Sequence, residues 1–104
     1  MSMVKKESAL PTRSTYIARA EFIEVTGIHP ARLEELMEMG WIASAKAGDD
    51  GYLFRGKDIY RVRKFERICC DFELPVLGGT IIVDLLERIA ELENKVKKFE
   101  DLNR

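Results

Sequence analysis

The sequence predicts a mainly α-helical protein with one small β-hairpin and a long C-terminal helix. Three observations carry this. Apolar residues recur at helical spacing in four separate stretches, with Gly or Pro between them. The run "ASAKAGDDGYLF" holds two short strand-like pieces around a Gly-Asp-Asp-Gly turn. Near the C-terminus, Ile82, Leu85, Ile89, Leu92, Val96 and Phe99 form a heptad seam flanked by charged residues.

Each element follows from local signals. Residues 1–14 read as a loose polar tail, and Tyr16-Ile17 as a short extended lead-in. Ala18 to Val25 reads as a short helix with Phe22, Ile23 and Val25 apolar. Thr26-Gly27 stops it, because glycine takes the left-handed conformation of a helix end cheaply. His29-Pro30 opens the next helix, where the missing Pro N–H costs nothing. Leu33, Leu36 and Met37 mark its inner face, and Gly40 ends it before Trp41-Ile42.

The hairpin turns at Gly48-Asp49-Asp50-Gly51. A third helix runs from Lys57 to Phe72, with Ile59, Val62, Phe65, Cys69 and Phe72 as its buried stripe. Pro75 interrupts, and a long helix runs from about Val76 to the end. Gly78-Gly79 either loosen its first turn or let it pack closely. The expected division is a tail over 1–14, a helix-turn-helix domain over 15–74 and a dimerisation helix over 75–104. An exposed apolar stripe needs a second helix to cover it. Self-association is the economical solution; docking back on the same domain is the alternative.

Composition narrows the function. The 104 residues are 46% hydrophobic and 34% charged, with net charge −1. That supports one modest core and gives no global field to attract nucleic acid. No apolar run reaches the ~18 residues of a membrane span. The first residues lack the apolar stretch of a secretory signal, so the cytoplasm is the expected compartment. Cys69 and Cys70 are adjacent and point in different directions on a helix. They are expected as reduced thiols, at least one packed inside. His29 is the only histidine. No metal cluster, cofactor motif or catalytic constellation is visible, so the protein is not expected to be an enzyme.

Helix, turn, helix, hairpin, helix and C-terminal coiled-coil helix is the order of a MerR-like winged helix-turn-helix. "ARAEFIEVTGIHPARLEELMEMGWI" resembles the MerR helix-turn-helix. "GYLFRGKDIYRVRKFERI" resembles a wing strand entering the third helix. "ELPVLGGTIIVDLLERIAELENKV" resembles the entry to a dimer helix. The resemblance spans about Tyr16 to Glu100 and implies a homodimer, taken as antiparallel across a two-fold axis. Within the superfamily the chain is most similar to the CbpM chaperone modulators, which bind the J-domain of CbpA, a DnaJ-type co-chaperone. The heat-shock repressor HspR is the rival, with a similar Gly-hydrophobic-His-Pro turn at Gly27 to Pro30.

The glutamates of the second helix separate these relatives. DNA-binding MerR proteins carry a Thr-Leu-Arg-Tyr-Tyr-Glu-like run there, whose Arg and first Tyr reach DNA. By that resemblance the two positions fall on Glu34 and Glu35. The wing Gly-Tyr-Arg becomes Gly51-Tyr52-Leu53. From Arg32 to Gly51, Arg32 and Lys46 stand against Glu34, Glu35, Glu38, Asp49 and Asp50. Carboxylates on that surface lose phosphate contacts and add repulsion. An ordinary solvated helix face would also carry glutamates. The joint loss of three DNA-facing positions instead favours a basic protein partner, and a J-domain offers a basic second helix. The resemblance therefore makes Glu34, Glu35, Glu38, Asp49 and Asp50 the expected partner-binding residues. It makes Ile82, Leu85, Ile89, Leu92, Val96 and Phe99 the dimer interface. DNA binding is disfavoured. If it occurs, Arg61 and Lys64 of the basic third helix would hold the duplex; otherwise these bases form a solvated face and pair with acids of the last helix. A passive dimerisation module is the remaining class.

Overall fold

The computed structural model describes residues 15–46 and 51–103. Strand β1 (Tyr16–Ala18) leads into α1 (Arg19–Thr26) and α2 (Pro30–Glu38). The hairpin strands β2 (Ser44–Lys46) and β3 (Tyr52–Arg55) follow, then α3 (Lys57–Phe72) and α4 (Val76–Leu102). These are the expected elements in the expected order: a MerR-like winged helix-turn-helix with a long C-terminal helix. The sheet differs in one respect. The lead-in is a true third strand, pairing antiparallel with β3 so that Ile17 lies opposite Phe54. The order β1-β3-β2 places β3 centrally, where Phe54 is fully buried. Of the hairpin turn, Gly48, Asp49 and Asp50 lie outside the described residues, as does the tail over 1–14.

Local chemistry explains the helix-turn-helix. Gly27 ends α1 at φ +75° with its N–H on the Ile23 carbonyl at 2.8 Å. The Thr26 hydroxyl donates to the Phe22 carbonyl and accepts from the Ile28 N–H. His29, expected with Pro30 to open α2, caps it: its Nδ1 accepts from the Ala31 N–H at 3.0 Å. That satisfies one of the amides a helix start leaves open.

The core gathers Phe22, Leu33, Leu36, Phe54, Ile59, Val62 and Phe65, with Ile28 and Ile42 beside them. Phe22 and Phe54 stack with ring centroids 4.6 Å apart, tying α1 to the sheet. On α3 the buried stripe includes Asp58 and Ile68 but not Phe72, which is 69% exposed. Phe72 sits in the last turn, past the end of the covering domain, so helical spacing alone placed it inside. Asp58 Oδ2 is buried without a hydrogen-bond donor among the described residues. The Arg55 guanidinium, 3.6 Å away, and the positive end of α3 balance its charge.

The first turns of α4 belong to this core: Gly79, Thr80 and Val83 are buried against α3. Gly79 is there for close packing. A Cβ on it would clash with Cys69 Sγ and stand 2.8 Å from Phe65 Cε1. Cys69 is buried and Cys70 exposed, as adjacent helical positions dictate.

Candidate functional site

Three charged or apolar surfaces stand out, and α2 carries the first. Leu33 and Leu36 turn into the core, which drives Glu34, Glu35 and Glu38 to the outside. Glu34 is tethered: Arg19 Nη2 lies 3.1 Å from its Oε2. Glu35 and Glu38 are exposed with no ion pair among the described residues. They occupy the last turn of α2, which contains no basic residue. Asp49 and Asp50 lie outside the described residues. Arg32, the one base of this helix, is engaged elsewhere: it binds Glu66 on α3 at 3.0 Å. Partial burial disfavours its charge, but Glu66 and Cys69 together outweigh that and hold its pKa above the usual value.

The second surface is the basic side of α3. Arg61 is committed internally. Its guanidinium meets Asp84 at 2.6 Å and Glu87 at 3.3 Å, both on α4. It also donates to the Trp41 carbonyl at 2.6 Å and lies over the Trp41 ring. Lys57, Arg63, Lys64 and Arg67 make no ion pair among the described residues. Lys64 lines a polar hollow of about 300 Å³ with Arg55, Lys57, Tyr60 and Glu87. The two bases grouped by sequence as a DNA surface therefore differ: Lys64 is available, whereas Arg61 joins α3 to α4.

The third surface is the apolar face of α4. Ile82, Leu85, Ile89, Leu92, Val96 and Phe99 are all exposed, from 38% at Ile82 to 67% at Phe99. The domain packs on the opposite side of the helix, through Thr80 and Val83, and so leaves the seam uncovered. Sequence reasoning missed its flank. Ile68, Phe72 and Leu74 form an apolar groove with Ile82 and Leu86. Leu86 was legible in the heptad as a residue beside the seam; the α3 residues required the tertiary fold. Among the described residues, no helix is long and apolar enough to cross a membrane. Against known families, residues 17–101 match the model described as MerR HTH family regulatory protein.

Proposed function

The chain belongs to the MerR HTH family of regulatory proteins, and on that premise we propose that it is a cytoplasmic, non-enzymatic modulator. In this reading it resembles CbpM: it binds the J-domain of a CbpA/DnaJ-type co-chaperone, lowers its activity and works as a homodimer through α4. The observation that carries the reading is the last turn of α2. Glu35 and Glu38 face the negative end of the helix dipole, an arrangement that costs ~0.3–1 kcal/mol per charge. Glu34 and Glu38 are also one turn apart, a repulsive spacing. A helix stabilised only for its own sake would carry bases here. A basic partner surface relieves both penalties on docking and gains orientation and on-rate from the charge match. The basic second helix of a J-domain is such a surface.

A second reading, a DNA-binding regulator of the HspR type, is favoured by one observation: Lys57, Arg63, Lys64 and Arg67 make no ion pair among the described residues. Four such cations suffice for a salt-dependent phosphate contact. Titration of Cys70-labelled protein with a CbpA-type J-domain from the same organism, and in parallel with a promoter duplex at equal salt, separates the two. Saturable J-domain binding without duplex binding supports the modulator. Tight, sequence-selective duplex binding without J-domain binding replaces it with the repressor.

A further inference from the structure

The polar hollow beside α3 has no part in the acidic face of α2. Arg55 reaches it from the end of β3, Lys57, Asp58 and Lys64 from α3, and Glu87 from α4. Its volume of about 300 Å³ is at the low end for small-molecule sites. Lys57 and Lys64 stand two turns apart on one face of α3. Neither makes an ion pair among the described residues. Glu87 is held by Arg61 at 3.3 Å, so it does not neutralise the lysines. Gly56, just before α3, supplies no side chain to cap the first-turn amides. Those amides add partial positive charge beside Lys57.

Asp58 is the feature that a solvated basic face does not explain. It lines the same hollow, is 4% exposed, and its Oδ2 receives no hydrogen bond among the described residues. Arg55 Nε, at 3.6 Å, balances the charge but lies beyond hydrogen-bond reach. A buried acceptor without a donor is costly. The hollow thus offers cations to an anion and an acceptor to a proton. We propose that it binds a phosphate group that still carries a proton: Lys57 and Lys64 neutralise the ionised oxygens, and the remaining O–H donates to Asp58. Arg55, whose side chain is half exposed, turns aside to admit that oxygen.

The proton gives the site a choice. At neutral pH hydrogen phosphate keeps one O–H. Sulfate has none, and neither has the phosphodiester of a nucleic acid. Either would set an oxygen lone pair against the Asp58 carboxylate. The hollow is therefore distinct from a duplex surface, although Lys57 and Lys64 are among the bases that a duplex would meet. The bound group is the free ion or the end of a small phosphate monoester. The site stands apart from the J-domain reading and does not depend on it. An occupant touches β3, α3 and α4 together and stabilises the folded chain by mass action.

Isothermal titration calorimetry of the full chain with inorganic phosphate and with sulfate, at neutral pH and matched ionic strength, tests the proposal. Phosphate should bind saturably at millimolar concentration, and sulfate at least roughly tenfold more weakly. Lys57→Gln with Lys64→Gln should weaken phosphate several-fold while the protein stays folded. Asp58→Asn should bring phosphate and sulfate together, because an amide donates to a fully ionised oxygen. If that variant fails to fold, the phosphate-to-sulfate ratio of the unmodified protein still decides. Glycerol phosphate near pH 6, where a monoester keeps about half its proton, identifies the source. Binding tighter than that of inorganic phosphate assigns the site to a monoester, and weaker binding to the free ion. Equal affinity for phosphate and sulfate in the unmodified protein overturns the proposal and leaves an unselective basic patch. So does the absence of saturable binding by both phosphates, or an unchanged phosphate affinity in the double-lysine variant.

Discussion

The Arg61 guanidinium lies 3.8 Å from the centroid of the Trp41 ring while donating to the Trp41 carbonyl at 2.6 Å. Trp41 in turn donates its indole N–H to Asp84 at 2.9 Å, the same carboxylate that Arg61 holds. One cation thus joins the turn after α2 to α3 and α4. This fixes the direction in which α4 leaves the domain.

Arg61→Ala should therefore destabilise the fold by about 1–3 kcal/mol, through a lost carbonyl hydrogen bond and cation–π contact together with half-exposed ion pairs. Arg61→Lys should recover only part of this, since an ammonium cannot reproduce the planar fork. Urea titration reads both. A full recovery by lysine would mean that charge alone matters at this site.

The two adjacent glycines of α4 should respond with opposite signs. Gly79→Ala places a methyl against Phe65 and Cys69, and overpacking of that kind costs roughly 1–3 kcal/mol. Gly78→Ala meets only ordinary contacts at 3.6 Å and beyond. It should stabilise the helix by about 0.5–1 kcal/mol. Thermal melts of the two variants test the pair. Equal shifts would contradict the close α3–α4 approach.

Glu35→Lys with Glu38→Lys should separate stability from binding. Both sites are exposed, and cations at a helix C-terminus gain ~0.3–1 kcal/mol each from the dipole. Stability should hold or rise slightly while J-domain affinity falls by at least roughly tenfold. Calorimetric binding and a melt on the same sample suffice. Unaltered affinity at physiological salt would place the contact elsewhere.

Leu92→Glu should yield monomers by light scattering with the melting temperature of the isolated domain unchanged. Leu92 is 44% exposed in the single chain, so the charge enters an apolar contact only when a second helix covers it. A persistent dimer would remove α4 from the interface.

Helix bounds were legible because their causes are local. Gly27, Pro30 and Pro75 act within a turn or two of their own positions, and α3 begins and ends where its apolar spacing and flanking residues require. Phe72 shows the limit of that reasoning. Periodicity identifies a face, but a face is buried only as far as another element covers it. Of the candidate surface, Glu34, Glu35 and Glu38 were readable as an outward row once Leu33 and Leu36 were assigned inward. Their difference in availability was not, since the Arg19 that engages Glu34 sits on another helix.

By itself, the sequence determined the order of elements, the acidic character of α2 and the heptad face of α4, because capping, periodicity and charge are carried by neighbouring residues. Tertiary structure alone decided which charges are spent. Arg61 reaches Asp84 across 23 positions of chain and Arg32 reaches Glu66 across 34. Only packing brings such residues within hydrogen-bonding distance, and it leaves Glu35, Glu38 and Lys64 without an ion pair among the described residues.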